Sequence, residues 1–158
     1  MPEAPSPHWN LFTMRARAVV ERSVVESLRF NAPFVTDLHL MLGVLFDDGN
    51  LSVPRRLLNA LDAKPKDIYE DIDAAARGEV FESPKRSNTV HELSAEGGKT
   101  LEYAHQEAIQ MDNRYIGAEH IFLGLLHDES SVASRILLQY GVSRQRFLDE
   151  VLKLQDLA

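Results

Sequence analysis

The chain has 158 residues, a length that suits one compact domain or two small repeats that share a core. Its net charge is −7, and the scattered Lys and Arg argue against nucleic acid or an anionic membrane as the main partner. Because the chain contains no cysteine, disulfides, cysteine zinc sites and thiol nucleophiles are excluded.

The first ten residues, MPEAPSPHWN, lack the basic and apolar regions of a secretory signal. The longest apolar run, HLMLGVLF, is far too short to span a bilayer. We therefore expect a cytoplasmic protein.

The chain contains an internal repeat with a constant offset of 81 (93 − 12). Residues 12–48 align without a gap on residues 93–129, and the match continues beyond them with a small shift. Repeats of this kind are best recognised before any other feature is assigned. The matched pairs include His39 with His120, Leu42 with Leu123, and Gly43 with Gly124.

The repeat predicts a division of the chain into two similar units. We assign the units to residues 12–76 and 93–156, joined by an exposed, mobile linker at 77–92 and preceded by a flexible segment at 1–11. Each unit is predicted to form four helices. The fold class is therefore all-α, with eight helices in two pseudo-twofold four-helix repeats that form one globular domain.

In the first unit, Thr13 is a candidate N-cap, and the apolar residues after it recur at helical spacing. A second helix follows Thr36 or Asp37. A third is predicted at about 53–61, and a fourth at about 65–77, where proline suits the first helical turn.

The second unit repeats this order. Ser94 is predicted to cap its first helix, and the segment AEHIFLGLLH forms its second. The third helix covers about 132–140 and ends before Gly141, a residue well suited to the position after a helix. Ser143 is predicted to cap the last helix.

The stretch SAEGGKTLEY ends like a phosphate-binding loop but lacks the full pattern. The motif G-x-x-x-x-G-K-[ST] needs a glycine where the chain has Leu93, and it needs a buried strand before it. We predict instead that Gly97 and Gly98 are tolerated at a helix start; the alternative is that they let this helix start fray or let another backbone come close. No nucleotide or other cofactor is expected.

His39 and His120 occupy matched positions in apolar stretches, an arrangement that raises the question of a metal site. Zinc needs three or four converging ligands, and AEHIF does not match H-E-x-x-H. We predict buried histidines that bond a backbone carbonyl across the helix packing, and no metal. Gly43 and Gly124 lie mid-helix and are predicted to permit close helix crossing.

The segment YIGAEHIFLGLLHDESSVASRILLQYGV closely resembles the N-terminal repeat of the Clp ATPases, found at the front of ClpA- and ClpC-type unfoldases. The family hallmark is an IGTEHLLLGLL-like segment, a short acidic loop and a VLxxLGV-like helix end. The first copy, FVTDLHLMLGVLFDDGNLSVPRRLLNALDA, matches more loosely. Since no Walker motif follows, the resemblance implies a free-standing or excised Clp N-domain, and the length of 158 residues favours the free-standing form.

The resemblance also implies a candidate site. In the ClpC branch, the matching glutamate of each repeat helps to hold phosphorylated arginine: the carboxylate pairs with the guanidinium and a helix N-terminus binds the phosphate. Here Glu119 is the glutamate, and Thr13 and Ser94 begin the helices. Leu38 takes the equivalent place in the first repeat (38 + 81 = 119), so one site is expected to be lost, and Ala118 replaces the family threonine. The alternative is that Glu119 only complements a helix N-terminus.

The expected function is protein binding without catalysis, in a groove between the repeats that takes substrate or adaptor segments of the Clp unfoldase/protease system. The chain would recruit substrates to a Clp ATPase as an adaptor, or it would bind adaptors or the peptidase core, tuning assembly or sequestering substrates. Alternatives are a small hydrolase or ligand-sensing domain that uses the inter-repeat cleft, and a structural dimerisation unit. A contiguous apolar patch would mark the binding surface. The aromatic residues predicted to exceed the needs of the core are Trp9, Phe30, Phe34, Phe46 and Phe81.

Overall fold

The computed structural model describes residues 4–49, 52–81 and 92–156. Over those ranges the chain forms eight α-helices and one short 3-10 helix, with no β-strand, and the predicted all-α fold is confirmed. The helices are α1 (Met14–Arg29), α2 (Asp37–Leu45), α3 (Val53–Ala60), α4 (Pro65–Arg77), α5 (Ala95–Gln110), α6 (Ala118–Leu125), α7 (Val132–Gln139) and α8 (Arg144–Asp156).

Side-chain caps define where several helices begin. Thr13 accepts a hydrogen bond from the N–H of Ala16 at 3.0 Å, and Ser94 accepts one from Gly97 at the same distance. These caps satisfy amides that have no partner within the helix. Gly141 follows α7 with φ of 76°, the left-handed conformation that glycine adopts at helix ends.

Glycine allows α1 to cross α2, and α5 to cross α6, at very short range. A Cβ atom on Gly43 would lie 2.5 Å from the carbonyl oxygen of Val19, and one on Gly124 would lie 2.6 Å from that of Thr100. Neither gap accommodates a methyl group. The predicted close crossing within each repeat is therefore what the structure shows.

The core is centred on α2 and α6, the second helices of the two repeats, which pack against each other. Every residue of α2 after Asp37 is buried, and α6 is buried except for Glu119. The other helices surround this pair with one apolar face each. In the second repeat, the rings of Phe122 and Phe147 stack at 4.2 Å between centroids, and both are fully buried.

The two repeats exchange short stretches of backbone. At the first junction, Thr13 donates its N–H to the carbonyl of Ile116 at 3.0 Å, and Ile116 donates to Leu11 at 2.9 Å. At the second junction, Val35 donates to Glu92 at 2.9 Å and Ser94 donates to Val35 at 2.8 Å. The offset of 81 relates the two junctions. At each of them, the first helix of one repeat begins next to the start of the second helix of the other repeat.

The predicted linker at 77–92 lies mainly outside the described residues, since α4 ends at Arg77 and residues 82–91 are not described. Within the predicted flexible segment at 1–11, Trp9–Leu11 forms the 3-10 helix. The proposed division of the chain at these boundaries stays a prediction.

Candidate functional site

Two clefts lie at equivalent positions on the two repeats. The first has a volume of about 170 Å³ and lies among α1, the end of α2, the start of α3 and Ala118. The second, of about 400 Å³, lies among α5, the end of α6, the start of α7 and Asp37. Ala118 in the first cleft and Asp37 in the second occupy equivalent positions of the two repeats (37 + 81 = 118). Each cleft is therefore lined by one residue of the other repeat.

A stacked pair of side chains stands beside each cleft. In the first, the guanidinium of Arg22 lies 3.4 Å from the centroid of the Phe46 ring, a cation–π contact. In the second, the rings of Tyr103 and His127 stack at 3.7 Å. These residues are equivalent in the repeat (22 + 81 = 103; 46 + 81 = 127), so the fold keeps the stack while the chemistry differs.

The clefts also differ in charge. Arg15 and Arg22 line the first cleft. In the second, Glu96 replaces Arg15 and joins two aspartates, Asp37 and Asp128. Burial, together with repulsion from Glu96 and Asp128, raises the pKa of Asp37. Lys99 and His127 also line this cleft.

A fourth carboxylate borders this acidic region. Glu79, just beyond the end of α4, accepts a hydrogen bond from the hydroxyl of Thr36 at 3.0 Å. Its burial, with a further contribution from Asp37, raises the pKa of Glu79 to about 7. The side of the protein that carries the second cleft is therefore crowded with acidic groups.

The predicted site residues divide between the two junctions. Thr13 is bonded through its backbone to Ile116, three residues before Glu119, so these two candidates belong to the first junction. Ser94 belongs to the second junction, where α2 carries Leu38 in the glutamate position. The structure thus places Glu119 at the same junction as Thr13 and leaves Ser94 without an equivalent glutamate.

Glu119 folds back over the start of its own helix. A Cβ atom on Gly117, the N-cap residue of α6, would lie only 1.8 Å from a carboxylate oxygen of Glu119. That carboxylate accepts a hydrogen bond from its own backbone N–H, while burial raises the pKa of Glu119. In the first repeat, the side chain of Thr36 caps the helix at the equivalent position. Because glycine replaces that threonine, Glu119 lies over the α6 N-terminus instead.

His39 and His120 are fully buried, but their partners differ from the prediction. Nδ1 of His39 accepts the N–H of Thr36 at 2.9 Å, and Nδ1 of His120 accepts that of Gly117 at 2.8 Å. Each ring caps its own helix, where the sequence predicted a carbonyl across the helix packing. His120 also contacts Asn113 Oδ1 through Nε2 at 2.8 Å, and burial lowers the pKa of His120 to about 4. The sequence signal for this kind of cap is a histidine at the third position of the helix, which both α2 and α6 have.

The five aromatic residues predicted to form a surplus patch are each partly covered. Phe34 packs on Phe81, with 5.9 Å between ring centroids, while Trp9 contacts Phe12 at 5.0 Å. The guanidinium groups of two arginines lie over the ring of Phe30. These residues engage in separate local contacts, and the expectation that apolar residues mark the binding surface stays a prediction.

Within 4–49, 52–81 and 92–156, no group of three or more His, Asp or Glu side chains has the arrangement to hold a metal ion. None of the helices in the same ranges is long and apolar enough to cross a membrane.

The family model described as the Clp repeat (R) N-terminal domain matches residues 11–140 and 92–156. The chain belongs to this family. The two matches cover both repeats, in agreement with the internal repeat recognised in the sequence.

Among curated relatives, the chain is 29% identical over 143 residues to the negative regulator of genetic competence ClpC/MecB of Bacillus subtilis. It is 26% identical over 151 residues to the chloroplastic chaperone ClpC2 of Arabidopsis thaliana. These alignments cover 90% and 95% of this chain but only 17% and 15% of the relatives. This Clp repeat chain therefore spans a small part of the curated relatives that it matches.

Solved structures of N-terminal domains show the same fold. The Hsp104 N-terminal domain of Candida albicans superposes with a TM-score of 0.71 at 18% identity, with 91% of each chain covered. The N-terminal domain of ClpD from Arabidopsis thaliana gives a TM-score of 0.67 at 22% identity, covering 93% of this chain and 96% of that one. The helix arrangement is thus that of Clp and Hsp104 N-terminal domains.

Proposed function

We propose that this chain is a non-catalytic protein-binding module of the Clp unfoldase/protease system, acting in the cytoplasm on substrate or adaptor proteins. The observation that carries the proposal is the pair of equivalent open clefts, each built from both repeats. Clefts that combine stacked side chains with a few charged groups suit the side chains of a polypeptide. Membership of the Clp repeat family supports the same role.

The hydrolase alternative has less support. A nucleophilic hydroxyl needs an adjacent base within hydrogen-bond reach and an accessible position. Thr36 Oγ1 and His39 Nδ1 lie 3.2 Å apart, but both residues are buried and serve to cap α2. The contact between Thr36 and His39 is accounted for by their shared role in capping α2.

We further propose that phosphorylated arginine binds at the first junction alone. There, Glu119 can pair with a guanidinium, while the start of α1 at Thr13 and the nearby Arg15 can hold the phosphate. At the second junction, Ser94 begins α5 in the same way, but Asp37 and Glu96 border that region and would repel a phosphate.

Calorimetric titration with free phosphoarginine tests this assignment. We expect one saturable site in the intact protein and at least a roughly tenfold loss of affinity in Glu119→Gln, because charge-assisted hydrogen bonds disappear. Glu96→Gln is the matched control, since it removes one carboxylate at the second cleft and leaves Glu119 in place. Unphosphorylated arginine serves as the control ligand.

The absence of heat at millimolar phosphoarginine, or equal affinity in Glu119→Gln, would contradict the phosphoarginine assignment. Glu119 would then only complement the α6 N-terminus. The wider protein-binding proposal is tested separately, by co-elution of the purified chain with a purified Clp ATPase and with its adaptor. If the chain co-elutes with neither protein, the role in the Clp system is contradicted.

A further inference from the structure

The segment that precedes α1 crosses from the first repeat to the second. Its residue His8 stacks on His105 of α5, with 3.8 Å between ring centroids and 32° between ring planes. The segment then continues through the 3-10 helix Trp9–Leu11 into the first junction, where Leu11 accepts the N–H of Ile116. It therefore contacts both repeats at the place where they meet.

The segment has a defined local structure. Ser6 is buried, and its side chain accepts the N–H of His8 at 3.1 Å while its carbonyl accepts that of Trp9. Arg17 of α1 donates to the carbonyl of Trp9 at 3.1 Å and lies over its ring. These contacts hold His8 in position for its stack on α5.

We propose that residues 6–11 form a pH-dependent clasp, which the contact between His8 and His105 holds on α5 and which acid releases. Two imidazolium rings at this separation repel each other. Two unit charges about 4 Å apart in water weaken an association by roughly fivefold, and by more where water is excluded.

The surroundings of His105 favour release of the segment at acidic pH. Burial and the neighbouring His8 lower the pKa of His105, while Glu102, one turn earlier on α5, opposes them. The released state therefore binds protons more readily than the docked state. Docking is fully present above the ordinary histidine pKa of 6.5 and is lost as pH falls through the lower pKa of docked His105.

Trp9 reports on the clasp directly, because it is the single tryptophan of the chain. We would follow its emission maximum and its quenching by acrylamide from neutral to mildly acidic pH, with far-UV circular dichroism recorded on the same samples. We expect a red shift and stronger quenching, with a midpoint below about pH 6.5 and an unchanged helical signal.

Two variants make the test specific. His8→Phe combined with His105→Phe keeps a stacked aromatic pair that cannot be protonated, and it should remove the pH response of Trp9. His127→Phe, which alters the equivalent kind of stack with Tyr103 in the second cleft, should leave that response intact. Glu79, with its pKa of about 7, titrates in both variants and cannot account for a difference between them.

Three results would overturn the proposal. Trp9 could keep the same emission and quenching over the whole pH range. The response could persist in the double phenylalanine variant. Trp9 could also change only together with the far-UV signal, which would mean that the whole chain unfolds and the segment has no transition of its own.

Discussion

At the scale of single residues, two helical glycines have opposite consequences. A Cβ atom on Gly124 would meet the backbone of Thr100 and Ala104 at 2.6 and 3.0 Å, whereas one on Gly98 would meet no atom within 4 Å. We predict that Gly124→Ala lowers the free energy of unfolding by about 1–3 kcal/mol through overpacking. Gly98→Ala should raise it by up to about 1 kcal/mol, since alanine favours the helix.

Urea denaturation of the two variants, alongside the intact protein, measures both changes. Gly98→Ala is the matched control, because it makes the same substitution on a neighbouring helix of the same repeat. Equal effects of the two substitutions would show that the helix crossing does not require glycine. The sequence suggested this crossing role for Gly124 from its mid-helix position alone.

Other residues show where local reasoning succeeds and where it stops. The caps at Thr13 and Ser94 were predictable, because a cap depends on residues three positions away. Glu119 lies over the α6 N-terminus, as one of the two expectations from the sequence had it, but its close contact with Gly117 was not foreseen. The sequence predicted a groove between the repeats but not which residues line the clefts, since Asp37 meets Glu96 and Asp128 only through the packing of the two repeats.

At the scale of helices, one buried glutamate in each repeat links the first helix of that repeat to the last through hydrogen bonds. Glu26 of α1 accepts from Tyr69 of α4 at 2.8 Å and also from Arg22 and Arg29. Its equivalent, Glu107 of α5 (26 + 81 = 107), accepts from Arg144 of α8 at 2.9 Å. The first repeat therefore surrounds its carboxylate with three described partners, and the second relies on one.

This difference predicts that losing one hydrogen-bond partner of the buried glutamate costs more stability in the second repeat than in the first. Arg144→Met should cost about 3 kcal/mol of unfolding free energy, because it leaves the buried carboxylate of Glu107 without its described cation. Tyr69→Phe should cost about 1 kcal/mol, since both arginines still bond Glu26. Chemical denaturation measures both, with Arg146→Met as the exposed control. Equal losses for Arg144→Met and Tyr69→Phe would contradict the argument.

At the scale of the whole molecule, the exchanged backbone at the two junctions and the packing of α2 on α6 leave neither repeat a separate core. Each first helix begins on hydrogen bonds that the other repeat supplies. The second helices of both repeats form the centre of one common core. Destabilising one repeat should therefore destabilise the other by the same amount.

Phe147→Leu tests this cooperativity from the far end of the chain. Phe147 is fully buried in the second repeat, and the smaller side chain should lower the unfolding free energy by about 1–2 kcal/mol. Trp9, which contacts Phe12 and Arg17 of the first repeat, should unfold at the same urea concentration as the far-UV helical signal, in the intact protein and in the variant. Measurement at pH 7.5, above the ordinary histidine pKa, keeps the N-terminal segment docked. If the far-UV midpoint fell in Phe147→Leu while the Trp9 midpoint stayed unchanged, the repeats would be independent folding units and the exchanged junctions would contribute little to their coupling.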